Sequence, residues 1–402
     1  MHVFAGGSAS PPSQRVQPAG PAAFDAPLRA ELHTSLEAVA PVWRVLEAEG
    51  VSTPYQRLDW VGTVLAHLAG PAGATPLFVT VRDANGRLVM LVPLALTPRQ
   101  GCRVVTWLDL GVCDYAMPVL ADAFEPNAAQ GAAIWDAVCA VLPRVDLIQI
   151  ERIPLRAYGS SNPIAALAGT EIAAAQTSSV LLGGDPETLL QRLCRRSTLR
   201  DMGNQWRRLE RSGELRFVQA STPALVEEIC DALFEQRRQR FAEMGRFDLL
   251  SRPEARDFYR AAAREGLSGG PARLFGLSVD GAWIATSYGL VHRDTLSYLI
   301  LTNAGAPWRT ASPGVQVTAQ TLKWACAQGL RCFDFSVGVM PYKQDFGAES
   351  HALRELTQPL TWKGAALNRF LQASDSAKTW LKARRLFGPF QRARRLARKL
   401  RV

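Results

Sequence analysis

The sequence predicts an α/β (α+β) protein of two tandem halves, each a mixed, mostly antiparallel sheet flanked by helices, with a basic C-terminal helical tail. Three observations lead there. One order of elements occurs twice, a tight-turn dipeptide stands at the same place in each copy, and an unbalanced charge run is confined to residues 376–402. The expected organisation is a disordered leader (1–24), an N-terminal half (25–185), an Arg-rich connecting helix (186–213), a C-terminal half (214–362) and a basic amphipathic tail (363–402).

The first copy opens with a strand at 77–82. Asn85-Gly86 follows, a hairpin signal because both central positions of the turn need positive φ. The chain returns at 88–96, and 103–108 make a third strand. A helix is expected at about 128–142 and a strand at 146–150. The second copy repeats this β-β-β-α-β order: 273–279, the turn Asp280-Gly281, 282–291, 295–301, a helix at about 313–328, and 331–335. Helical patterns precede each copy, at about 56–69 in one case and at 222–245 and 254–265 in the other. Shared order at this length is the signature of an internal repeat.

Composition excludes several classes. Apolar residues make up 48% and charged residues 20% of the 402 residues, an ordinary globular balance. No run approaches the roughly 18 apolar residues of a membrane-spanning helix. The first 27 residues lack the apolar core of a secretory signal, and seven scattered cysteines without a CxxC suit a reducing compartment. A cytoplasmic protein with no metal is expected. The net charge is +10, and residues 376–402 alone contain ten Lys/Arg and no Asp/Glu. The body is therefore neutral, which argues against a diffuse nucleic-acid-binding surface. In the tail, Phe390, Ala393, Leu396, Ala397 and Leu400 recur at helical spacing among arginines. That pattern suits a helix on an anionic membrane surface, and so a peripheral position at the inner face.

The sharpest chemical signal precedes the helix of the second copy: Arg309-Thr310-Ala311-Ser312-Pro313-Gly314-Val315. Ser312 reads as N-cap and Pro313 as the first helical residue. Gly314 admits close approach to first-turn amides, where the helix dipole favours an anion, and Arg309 can add a phosphate contact. Asp334 alternates with Phe333 and Phe335, so its carboxylate faces the other side of the sheet. It is either a general base or one member of a structural ion pair. His292 is expected in an exposed hairpin turn. The connecting helix, with Arg192, Arg195, Arg196, Arg200, Arg207, Arg208 and Arg211, reads as a solvated linker or a basic wall facing an anion.

Several stretches together resemble the GNAT acyltransferase superfamily, and within it the CelD-type acetyltransferases associated with cellulose biosynthesis. They are Gly281, Ser312-Pro313-Gly314, Gly329-Leu330-Arg331, Phe333-Asp334-Phe335, Gly338, Tyr342-Lys343 and Phe346. Asp114-Tyr115 with Pro118, and Arg237 with Arg240-Phe241, fit the same pattern. The likeness spans about residues 55–362. It implies two GNAT-like halves, as in Fem-type transferases, with one donor site in the second half. Acetyl-CoA or another acyl-CoA would lie between the third strand and the strand after the helix, bound by Arg309, Thr310, Ser312, Gly314 and Val315. The resemblance makes Tyr342 a general acid beside the sulfur and Asp334 a base. It places Asp114, Tyr115, Arg237 and Lys343 at the acceptor. The implied function is acyl-CoA-dependent N- or O-acyl transfer to a sugar, a polysaccharide precursor or a cell-envelope metabolite. Two other classes compete: a Fem-like transferase using aminoacyl-tRNA, and a non-catalytic scaffold held at the membrane by the tail.

Overall fold

The computed structural model describes residues 28–383, with side chains described through 374. The leader and the basic helix expected at 390–400 lie outside the described residues. Both copies of the repeat are present. In the first half β1 (Arg29–His33), α1 (Leu36–Glu49) and α2 (Leu58–Val64) lead into β2 (Thr75–Arg82), β3 (Leu88–Arg99) and β4 (Cys102–Trp107). Then come α3 (Ala128–Val141), β5 (Leu147–Pro154) and β6 (Thr170–Leu181). After α4 (Arg196–Glu210) the second half begins with β7 (Leu215–Gln219), α5 (Pro223–Met244) and α6 (Pro253–Gly266). It continues with β8 (Ala272–Val279), β9 (Ala282–His292), β10 (Thr295–Asn303), α7 (Pro313–Ala327), β11 (Cys332–Val337), α8 (Pro341–Asp345) and β12 (Glu349–Pro359). The hairpin turns fall where Asn85-Gly86 and Asp280-Gly281 place them, with Gly86 at φ 78° and Gly281 at φ 79°.

The described strands join in a 13-stranded sheet whose main path is β1-β2-β3-β4-β5-β12-β6-β11-β10-β9-β8-β7, with Val119–Leu120 paired to β3 off that path. The order is a palindrome of the two halves. Their last strands are exchanged: β12 pairs with β5 of the first half, β6 pairs with β11 of the second, and β6 and β12 pair with each other at the centre. Pairing is parallel at β4–β5 and β10–β11 and antiparallel at the other junctions along this path. One hydrophobic core runs across the halves, with Trp60 of α2 set edge-on against Phe258 of α6 at 4.9 Å between ring centroids.

Of the strands outside the repeat, β6 and β12 are rich in charged, polar or small residues and give no alternating apolar pattern, and β1 and β7 are only five residues long. The Arg-rich connection is two helices, Leu189–Leu193 and α4, broken at Cys194 and Arg195. Met202 and Leu209 of α4 are buried against the second half, and most of its arginines face solvent. The tail helix, α9 (Trp362–Ala383), begins well before the pattern expected from residue 374. Leu367 docks it on Cys102, Val104 and Leu147 of the first half.

Candidate active site

β10 and β11 pair over three residues each, Thr295 to Ser297 with Cys332 to Asp334. Beyond Ser297 and Asp334 the two strands part, and between them opens a cleft of about 460 Å³. Tyr298, Leu301 and Asn303 line one arm, Phe335 and Val337 the other, and Pro313 and Gly314 bring the start of α7 to it. The first half has the same fork, because β4 and β5 also pair over only three residues. There the chain fills its own gap. The loop after β4 buries Leu108, Val112, Cys113 and Met117, and the Ala116 N–H donates to the Arg152 carbonyl of β5 at 2.9 Å. Among the described residues the second-half fork is the open one of the two.

The loop entering α7 differs from the sequence expectation at its cap. Ser312 has φ 47° and ψ 53°, a left-handed conformation, and its hydroxyl caps nothing. Instead its carbonyl accepts the amides of Val315 (2.9 Å) and Gln316 (3.2 Å). The Val315 amide is thus already engaged. A Cβ on Gly314 would stand 3.4 Å from Asn303 Oδ1, ordinary contact, so the protein itself tolerates a side chain there. What the glycine provides is open space on the cleft side. Thr310 is exposed and lies outside the cleft lining. Arg309 is exposed at the mouth, 3.5 Å from Glu243. Arg240 and Arg246 join it there, and among the described residues neither forms an ion pair with a carboxylate. Arg237 also lines the cleft, but its charge is spent on Asp248 at 2.7 Å, with its guanidinium over the Phe241 ring. Arg240 stood in the motif read from the sequence; Arg246 gave no signal there, because its position depends on the turn after α5.

Tyr342, on the short helix α8, lines the cleft with its ring edge-on to Phe335 at 6.2 Å. Burial pushes its phenol up to about 12, so it holds its proton at neutral pH. Its neighbour Lys343 is not free to bind an acceptor. It is buried, and its ammonium donates to the carbonyls of Phe335 (2.9 Å), Ser336 (3.1 Å) and Gly338 (2.6 Å). Burial also lowers its pKa. This clamp, with the Ser336 N–H donating to Asp334 at 2.8 Å, holds Ser336 at φ 56°, a conformation a serine adopts only when its surroundings impose it.

Asp334 faces the side of β11 opposite Phe333 and Phe335, as alternation predicts. It has the buried contacts that a carboxylate there requires: Tyr115 Oη donates to it at 2.7 Å and Thr177 Oγ1 at 3.0 Å. Burial raises its pKa, and these hydrogen bonds offset only part of that. Tyr115 therefore joins the two halves at the base of the fork. Asp114 does not line either cavity at the fork. Its carboxylate lies 3.8 Å from Arg152 and takes a hydrogen bond from the Val337 backbone, while burial raises its pKa. It ties the loop to β11 rather than meeting a ligand. His292 is a correction to the sequence reading: it is buried, bonded to Ser52 Oγ at 3.2 Å, because the β9–β10 turn docks on the first half. Among the described residues no group of three or more His, Cys, Asp or Glu is placed to hold a metal ion, and no helix is long and apolar enough to cross a membrane.

Residues 196–344 match the family described as acetyltransferase (GNAT) domain. Among solved structures, FemX superposes with a TM-score of 0.57 at 11% identity, covering 85% of this chain and 99% of that chain. A conserved protein of unknown function from Bacteroides thetaiotaomicron gives 0.52 at 12% identity, covering 82% and 99%. Both are likenesses of fold. Among curated proteins none matches the sequence.

Proposed function

With residues 196–344 forming a GNAT acetyltransferase domain, we propose that this acyltransferase takes its acyl group from acyl-CoA, acetyl-CoA first among them, bound in the fork between β10 and β11. The fork is the observation that carries the reading. A thioester arm laid between the parted strands runs along the edge of β10, which has no β11 partner beyond Ser297. The bare start of α7 and the arginines at the mouth suit a pyrophosphate and phosphate. Tyr342 stands inside the cleft with its proton in place for the leaving thiolate. We infer a sugar, polysaccharide precursor or related cell-envelope metabolite as acceptor on the strength of the sequence resemblance.

Calorimetric titration with acetyl-CoA tests this. Wild-type protein is expected to bind at micromolar affinity and Gly314→Glu to lose binding, since the new carboxylate enters the cleft where an anion belongs. Wild-type protein that binds no acetyl-CoA overturns the reading. The exposed arginines of α4, which packs beside the donor loop through the Gln316–Met202 hydrogen bond, make aminoacyl-tRNA the next ligand to titrate. Its affinity would fall steeply with salt.

A further inference from the structure

Asp334 opens onto a second cavity, of about 650 Å³, to which the donor site gives no role. Thr295, Cys332 and Asp334 line it, and all three belong to the paired stem of the fork whose open end is the donor cleft. Cavity and cleft thus lie at the paired and the open ends of one fork, with Asp334 on one side of β11 and Phe335 on the other. We propose that this cavity is the acceptor site and that it selects a primary amine on a small polyhydroxylated body, an amino sugar being the simplest. The proposal rests on the acyl-CoA reading above.

The charge facing the cavity favours an amine. Asp294 and Asp334 both line it. Asp294 accepts the Thr295 hydroxyl at 3.3 Å, and the cation nearest it is an exposed Arg331 at 4.0 Å. Asp334 forms no ion pair among the described residues; its hydrogen bonds come from Tyr115, Thr177 and the Ser336 amide. Arg156 and His351 line the cavity as well, and both have partners in its wall. Arg156 donates to the Gly159 carbonyl and to Ser161 Oγ, His351 is bonded to Ser179 Oγ, and Lys343 serves three carbonyls behind the strand. An ammonium entering this space meets two carboxylates against one guanidinium, a balance that favours it over a carboxylate or phosphate. The Ser350 hydroxyl with the Tyr158 ring suits a hydroxylated ring. Tyr158 itself is held edge-on by His292 at 5.4 Å.

The reaction then balances simply. The ammonium gives a proton to Asp334. The amine nitrogen adds to the thioester carbonyl carbon, forming the C–N bond. The C–S bond breaks with its electron pair on sulfur, which takes a proton from Tyr342, and the nitrogen's second proton passes through solvent to the Tyr342 phenolate as the amide forms; Asp334 then returns its proton to solvent. The products are the amide and free coenzyme A.

The test is release of coenzyme A thiol from acetyl-CoA in the presence of glucosamine, galactosamine or mannosamine, each beside its neutral hexose. Amino sugars are expected to exceed the hexoses by at least about tenfold, the scale of discrimination by a site built for one polar group. Thr295→Trp fills the cavity. Ala157→Trp fills it from the 156–161 hairpin, where folding is less at stake. Each is expected to cut turnover about tenfold or more while the acetyl-CoA Kd stays within about twofold. Equal turnover with hexoses overturns the proposal. So does no turnover with any amino sugar in protein that binds acetyl-CoA, or full turnover in both blocked variants. Wild-type protein that fails to bind acetyl-CoA overturns the donor reading beneath it instead.

Discussion

Asp334 shows how one side chain comes to be chosen by its surroundings. A buried carboxylate with no cation against it is held by three donors, and desolvation still outweighs them, so its pKa stands above the ordinary 3.8. Two consequences carry opposite signs. In the proposed role of base Asp334 works ionised, so the ascending limb of kcat/KM against pH is expected above the usual carboxylate range. As a buried acid it favours the protonated fold. The stability it contributes is therefore present at low pH and lost as pH rises through its raised value. Asp334→Asn is expected to remove that limb and lower kcat by roughly 10²–10⁴, with acetyl-CoA affinity unchanged. A pH–rate profile of the variant with the limb intact would assign the base elsewhere. Lys343 and Asp114 make the converse point: charged residues in a matching motif are here occupied with holding backbone and loop, not a ligand.

At the scale of elements, the attachment of α9 rests on one close approach. Gly364 lies in its first turn, and a Cβ there would stand 1.8 Å from the Asp146 carbonyl. Asp146 also receives Thr361 Oγ1 at 2.7 Å and the Arg103 amide at 2.9 Å, so helix and first-half sheet are pinned at one residue. Gly364→Ala gains about 1 kcal/mol of helix propensity, against a clash with backbone that cannot swing aside, which costs roughly 1–3 kcal/mol. The clash is expected to win and the melting temperature to fall. A rise would mean that the helix shifts freely on the sheet. The same logic of backbone approach separates the two forks: in the first half the Ala116 amide bonds Arg152 across the gap, and in the second no such backbone bond crosses among the described residues.

For the whole molecule, the exchange of β6 and β12 makes the halves interdependent. Without β12, β5 keeps only its three-residue pairing with β4; without β6, β11 keeps only its three-residue pairing with β10. Each half alone would expose an unpaired central strand and part of a shared core. Residues 28–185 and 186–402 expressed separately are expected to aggregate, and expressed together to co-purify as a complex of one copy of each. Either half giving a soluble monomer with a cooperative thermal transition would contradict this.

Local pattern determined a good deal of this protein. The hairpin dipeptides, the alternating strands of both copies, the Pro-Gly start of α7 and the side of β11 that Asp334 faces all follow from neighbours within a few residues, where φ preference and periodicity act. The weak strands were not legible. The 170–181 and 349–359 segments, rich in Ala, Ser, Thr and charge, become strands because the centre of a shared sheet supplies their hydrogen bonds. Tertiary structure alone decided which fork stays open, since that depends on whether a distant loop fills it. It also decided that Ser312 turns left-handed, that His292 is buried, and that Tyr115, Thr177 and Asp334, 62 and 157 residues apart along the chain, share one network. Hydrogen-bond partners and desolvation come from the whole fold, and no residue's near neighbours specify them.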